Sequence, residues 1–213
     1  MSIPDCRARI ILLGNCNVGK TSFTRSFTEL FDLNYTPTVG VEYGTATTLI
    51  DNKVCIKCQI WDTAGNEKFA SIIKCYYKNI AGVIIMFDIT NKSTFNNCNY
   101  WVNEFNNNKN SDKYISKWLI GTKLDMEGKR VVSTKDAQVF AKKIGFNYME
   151  ISTKRKINTY ECIKSIATDI YNNKDIIEKG IENMYAMSDD MKIIVKDDRE
   201  WCAKQECLTC NIS

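Results

Sequence analysis

The sequence predicts an open α/β domain: a six-stranded, mostly parallel sheet with helices on both faces. Three observations lead there. Apolar, strand-like runs alternate with segments of helical spacing from Ala8 to about Lys179. Gly82 to Ile89 (GVIIMFDI) is apolar almost without a break, as a strand covered on both faces must be. The first apolar run passes through a glycine-containing turn directly into a helical segment, the order of a βα unit.

Each element has a local reason. Ala8 to Leu13 reads as a buried strand and Thr21 to Phe31 as a helix. Val41 to Ile50 and Lys53 to Trp61 flank Asp51-Asn52, a dipeptide suited to a tight turn, and so form a hairpin. Gly82 to Ile89 is the next strand. Ser93 to Asn107 reads as one helix with Ser93 as its N-cap. The asparagine-rich stretch from Asn106 to Asn110 is a polar surface loop. Tyr114 to Gly121 is a strand, and Ser133 caps a helix running to Ile144. Phe146 to Ile151 is a short strand, and Ile157 to about Lys179 is the last helix. Beyond it the pattern fades. Residues 1–179 are expected to form one domain and residues 180–213 a flexible tail.

Composition narrows the classes. With 213 residues, the chain is long enough to bury a core without disulfide or metal staples. An apolar content of 44% with 25% charged residues excludes a wholly disordered or collagen-like chain. A net charge of +4 is too mild to argue for nucleic acid, and none is expected as a partner. The absence of histidine excludes a histidine triad or a histidine metal site. Met1 to Arg7 lacks the pattern of a signal peptide, so the ten cysteines are expected as free thiols in a reducing cytoplasm. Cys55-x-x-Cys58 and Cys207-x-x-Cys210 lie roughly 150 residues apart. That separation, and the strand around Cys55, argue against a shared zinc site.

Three motifs carry chemistry. Gly14-Asn15-Cys16-Asn17-Val18-Gly19-Lys20-Thr21 fits G-x-x-x-x-G-K-[ST] between a strand and a helix. Glycines let the backbone ring a polyphosphate with N–H groups, Lys20 adds a point charge, and Thr21 offers a hydroxyl to Mg²⁺. A plain glycine turn fits the spelling too, but not the flanking strand and helix as well. The nucleotide-contacting set runs from Gly14 through Ser22. Asp62-Thr63-Ala64-Gly65 ends a strand, where an aspartate can hold Mg²⁺ through water. Thr122-Lys123-Leu124-Asp125 follows another strand. A carboxylate there can accept two hydrogen bonds from guanine, whereas adenine has no such donor pair.

With these motifs in order, the chain resembles Ras-superfamily small GTPases over about residues 7–179, and within them the Rab family. Val39-Gly40-Val41-Glu42-Tyr43 resembles I-G-V-D-F, and Lys57-Cys58-Gln59-Ile60-Trp61 resembles K-L-Q-I-W. Lys68 to Ile72 resembles R-F-R-S-I, Tyr76 to Ile80 resembles Y-Y-R-G-A, and Ile85 to Thr90 resembles L-V-Y-D-I-T. Glu150-Ile151-Ser152-Thr153-Lys154 resembles E-x-S-A-K. The resemblance implies the P-loop small-GTPase fold, GTP/GDP and Mg²⁺ as ligands, and a switch acting in vesicle traffic. It implies that Thr38 closes on Mg²⁺ and the γ-phosphate, that Phe31 packs on the base, and that Ser152, Thr153 and Lys154 back the base. Metal ligands would be Thr21, Thr38 and Asp62. Hydrolysis would rest on Lys20, Gly65 and residue 66. Val41, Tyr43, Trp61, Ile72 and Tyr76 would form an effector surface, with core packing as the other reading, equally weighted for Trp61.

Three departures matter. Asn66 stands where relatives have glutamine, so slow intrinsic hydrolysis is expected, with a nucleotide-locked binding module as one rival and a general P-loop ATPase or kinase as the other. Thr122 replaces the common asparagine. Cys16 and Asn17 replace small loop residues. Cys210-Asn211-Ile212-Ser213 resembles a prenylation box, with Cys207 as a second lipid site. From Gly180 onward seven acidic residues outnumber four basic ones. Surface electrostatics therefore cannot hold the tail on a membrane, and one lipid chain anchors only marginally. Expected partners are an exchange factor, a GTPase-activating protein, a GDP-dissociation inhibitor or prenylation escort, and GTP-state effectors. The expected location is the cytosolic face of an intracellular membrane.

Overall fold

Six strands form one sheet in the order β2-β3-β1-β4-β5-β6, parallel except for the β2–β3 hairpin. The structure is a computed structural model and describes residues 6–27, 41–51, 53–63, 77, 79–109 and 114–173. The strands are β1 Cys6–Leu13, β2 Val41–Ile50, β3 Val54–Thr63, β4 Gly82–Asp88, β5 Ser116–Thr122 and β6 Asn147–Glu150. Among the described residues the helices are α1 Lys20–Arg25, α2 Lys92–Asn96, α3 Cys98–Asn108, α4 Thr134–Ile144 and α5 Thr159–Asn172, with a 3₁₀ helix at Leu124–Lys129.

Period-two alternation divides the core in two. On β4, Ile84 and Met86 join the face covered by α1 and α5, through Phe23, Ile163, Ile166 and Ile170. Val83, Ile85 and Phe87 join the other face, covered by α3 and α4 through Trp101, Phe105, Ala137 and Ala141. All seven β4 residues are buried, as its continuous apolar run requires. The parallel strands aim their carboxyl ends at one edge of the sheet. Ligands of open α/β sheets bind in the crevice beyond that edge.

Several boundaries differ from the sequence expectations. Helix α1 spans Lys20–Arg25 rather than reaching Phe31, and residues 28–31 lie outside the described set. The helix expected over Ser93 to Asn107 is two helices. Asn91, not Ser93, is the N-cap: its side chain accepts from the Ser93 backbone N–H at 3.0 Å. The break falls at Asn97, whose side chain leaves the helix to bond Asn15. Strand β5 begins at Ser116 rather than Tyr114 and runs one residue further, to Thr122. Strand β6 is shorter than expected. Ile157 pairs with Ser152 in an antiparallel bridge, so α5 begins only at Thr159. Ser133 caps α4 as expected, accepting from the Asp136 N–H at 3.0 Å. Asp51 takes the left-handed conformation of the hairpin turn, with φ +50. The tail, residues 180–213, lies outside the described residues.

Candidate nucleotide-binding site

Four strand ends build the site, beginning with the loop after β1. Gly14 has φ +139, and a Cβ there would lie 2.4 Å from the Met86 carbonyl oxygen. Only glycine permits both that backbone and that approach. Asn17 (φ 63) and Gly19 (φ 99) are also left-handed, which curls the loop before α1 begins at Lys20. Val18 is fully buried and anchors the curl in the core. The Lys20 ammonium donates to the carbonyls of Gly14 at 2.8 Å and Asn15 at 2.9 Å, so it lies across the loop it belongs to. Burial pushes its pKa down to about 8, against the opposing pull of Asp62 and Cys16. A cation held against its own backbone carbonyls and stripped of water fits an anionic partner such as a polyphosphate. Asn15 binds inward to Asn97 and Trp101 through its side chain, while Cys16 is exposed and Ser22 half-buried.

The end of β3 supplies the second part. Asp62 is fully buried, and its Oδ2 accepts from the Thr21 hydroxyl at 2.5 Å. Two hard oxygen donors from distant points of the chain thus sit side by side beside the loop. That donor set fits Mg²⁺, which prefers oxygen and keeps part of its water shell. Thr63 donates to the Leu12 carbonyl at 2.6 Å, tying β3 to β1 just behind the site.

The ends of β5 and β6 supply the third part. Asp125 Oδ1 accepts from the fully buried Ser152 hydroxyl at 2.6 Å, which fixes the carboxylate's direction. Ser152 Oγ also accepts from the Arg155 backbone N–H at 3.1 Å. Thr153 is half-buried and Lys154 exposed in the same loop. Lys123 has φ 64 and pairs with Asp88 at 2.5 Å, while Thr90 donates twice to the other Asp88 oxygen. The Thr122 hydroxyl lies 2.6 Å from the Val18 carbonyl and 2.9 Å from that of Phe87. Threonine in place of asparagine at 122 therefore keeps a tether between the loop after β5 and the loop after β1.

A supporting ring around these residues is not legible in the motifs. Arg130 bridges Glu127 and Glu150. Burial alone would raise the Glu150 carboxyl, but hydrogen bonds from Arg130 and Tyr148 outweigh it and hold the group below its ordinary range. Asn158 donates to the Glu150 carbonyl at 2.9 Å, so the strand leading into Ser152 is fixed from two sides. Asp88, Asn97 and Trp101 belong to the same ring. The available signal was position: Asp88 and Glu150 are the polar residues that end β4 and β6.

Thus Gly14 to Ser22, Asp62, Thr122, Lys123, Asp125, Ser152, Thr153 and Lys154 lie along one edge of the sheet. Phe31, Thr38, Gly65, Asn66, Ile72, Tyr76, Cys207 and Cys210 lie outside the described residues. Of the effector residues, Tyr43 and Trp61 pack edge to face at 5.2 Å, with Tyr43 exposed. No described helix is long and apolar enough to cross a membrane.

Comparison with known proteins agrees with this geometry. Residues 9–172 match the model of the Ras family. The chain is 33% identical to the Ras-related protein RABA1b of Arabidopsis thaliana over 208 residues, covering 96% of this chain and 95% of that protein. It is 37% identical to RABA5c of the same plant, covering 78% of this chain and 76% of the relative. It is also 37% identical to Rab11A of Lotus japonicus, covering 77% and 72%. By its fold, its three motifs and these matches over most of its length, the chain belongs to the Ras family of small GTPases, in its Rab branch.

Proposed function

We propose that the chain is a GTP/GDP-dependent switch of intracellular vesicle traffic whose own hydrolysis of GTP is slow. The observation that carries this reading is the meeting of three chemistries at one sheet edge. These are a buried lysine in a glycine-turned loop, a Thr21–Asp62 oxygen pair, and an Asp125 carboxylate oriented by Ser152. Lys123, Thr153 and Lys154 complete the base pocket, with Phe31 against the ring. Thr21, Asp62 and Thr38 would hold Mg²⁺, which would supply positive charge to offset that of the phosphates.

Hydrolysis is positioning chemistry. Lys20 sets the phosphates, Gly65 offers its N–H to the γ-phosphate, and Asn66 orients water. Asn66 keeps the amide of glutamine but is one methylene shorter, so its head group falls short by about 1 Å, a misplacement that can cost about 10²-fold. Loss of the γ-phosphate would release residues about 33–42 and 63–80, hiding the effector surface around Val41, Tyr43, Trp61, Ile72 and Tyr76. An exchange factor, an activating protein, a GDP-dissociation inhibitor or escort, and effectors would then read the two states. Residues 180–213 would act as a flexible tail, and lipid on Cys207 and Cys210 would place the switch on the cytosolic face of a membrane.

The test is single-turnover hydrolysis beside nucleotide competition. GTP and GDP, but not ATP, should displace a labelled guanine nucleotide. Asn66→Gln should speed hydrolysis with little change in GTP affinity. Displacement by ATP would sink the guanine reading. An unchanged or slower rate would remove Asn66 as the limiting residue and leave another residue to position the water. In cells, Cys207→Ser/Cys210→Ser should leave the membrane fraction; a double variant that still pellets with membranes refutes the lipid anchor.

A further inference from the structure

Asn15 contributes more than backbone to the phosphate loop. Its side-chain oxygen accepts two hydrogen bonds, from the Trp101 indole N–H at 2.9 Å and from Asn97 Nδ2 at 3.0 Å. Trp101 lies in the first turn of α3, and its ring is buried in the core beneath that helix. Asn97 is the residue at which the helical chain breaks between α2 and α3. The break lets its side chain reach the loop instead of continuing a helix face. On its other side, the Asn15 carbonyl accepts from the Lys20 ammonium at 2.9 Å. One residue thus connects the lysine of the site to a helix rooted in the core.

The loop needs such a hold. Gly14 precedes Asn15 at φ +139, and glycine gives the chain there no conformational preference of its own. Cys16, which follows, is exposed. Val18 and the Thr122 hydroxyl secure the far end of the loop. The two donors on the Asn15 oxygen secure the near end, and with it the peptide plane that faces Lys20.

We propose that Asn15 is a positioning residue for nucleotide retention: the Trp101–Asn15–Asn97 clamp sets the phosphate-loop backbone and, through the Asn15 carbonyl, the resting position of Lys20. The proposal rests on the guanine-nucleotide reading above and assigns the loop's first variable side chain a role distinct from contact with phosphate. It also makes Trp101 an optical reporter of the loop, because indole emission responds to the partner of its N–H.

The test uses the full chain loaded with a fluorescent GDP analogue and follows its dissociation into excess unlabelled GDP with Mg²⁺ present. Asn15→Leu keeps the size and removes the acceptor; dissociation should accelerate about tenfold, the scale expected when buried donors lose their partner. Asn15→Asp keeps an oxygen for both donors and should restore the rate to within about threefold of the parent. Trp101→Phe should also accelerate release. Combining it with Asn15→Leu should add little, because the leucine already removes the acceptor that the Trp101 indole bonds.

Parent-like dissociation in Asn15→Leu overturns the proposal, as do equal losses in the Asp and Leu variants. Fully additive effects of the Leu and Phe changes also overturn it. If Asn15→Leu does not fold, Trp101→Phe decides alone: a lowered melting temperature with an unchanged dissociation rate would make the bond merely structural. Failure of the parent to retain any guanine nucleotide would instead overturn the functional reading and this proposal together.

Discussion

Lys20, Asp62 and Asp88 carry ionisable groups into the interior at the carboxyl ends of the strands, where charge is costly unless it is used. For Lys20 the cost is visible as a pKa held near 8 rather than 10.5. The sign has two consequences. Below about pH 8 the ammonium is charged both folded and unfolded, and its burial penalty is fully present. From about 8 to 10.5 the folded chain binds fewer protons than the unfolded one, so this group alone makes stability rise with pH. Nucleotide affinity should move the opposite way, falling up to about tenfold per pH unit above 8, because the anion must first restore the proton. Titrating GDP affinity from pH 7 to 9.5 checks this, and a flat profile would show that Lys20 keeps its proton. At Asp125, exchange of one carboxylate oxygen for an amide replaces an acceptor with a donor. Asp125→Asn should therefore move preference from guanine toward xanthine nucleotides. Unchanged GTP affinity in competition would refute the assignment. Thr21→Asn should weaken the dependence of GTP binding on Mg²⁺. Equal metal titrations for variant and parent would remove Thr21 as a ligand.

Elements position these residues through contacts that can be broken singly. Helix α5 closes one face of the sheet with Cys162, Ile163, Ile166, Ala167 and Ile170. Ile166 is fully buried, and Ile166→Ala should cost about 2–5 kcal/mol with no direct change at the site. Thermal unfolding would show a drop of about 5–15 °C. The Thr122 tether joins β5 to the phosphate loop and should act differently. Thr122→Val keeps the shape and removes the hydroxyl near two buried carbonyls, at about 1–3 kcal/mol. The same change should speed nucleotide release, which Ile166→Ala should do less for an equal loss of stability. If the two variants release nucleotide alike at matched stability, the tether has no role beyond packing.

The described residues fold around one sheet, and the proposed binding edge is assembled from residues 14–22, 62, 122–125 and 152–154. A ligand there would bridge the ends of β1, β3, β5 and β6 at once. Guanine nucleotide with Mg²⁺ should therefore stabilise the entire fold by mass action, about 2.7 kcal/mol at a hundred times the dissociation constant. For a domain of this length that corresponds to about 5–10 °C in melting temperature. Stripping nucleotide with a chelator should reverse it.

How much the sequence determines follows from the range of each interaction. Strand β4, the cap at Ser133, the hairpin turn at Asp51 and the G-x-x-x-x-G-K-T loop were legible because each is set by neighbours within a few residues. So was the order of the motifs, which fixes which strand ends carry them. The break at Asn97 was not legible, because it depends on Asn15, which is remote in the chain and reaches it only once β1 and α3 are packed. The same holds for the aim of the Ser152 hydroxyl at Asp125, for Arg130 on Glu150, and for Thr122 against the Val18 carbonyl. The sequence alone determined the parallel sheet and the kinds of group at its edge, because hydrophobic period and turn chemistry are local. Tertiary structure decided how each group is aimed and how far its proton affinity is shifted. Aim and burial depend on side chains that the sheet brings together from opposite ends of the chain.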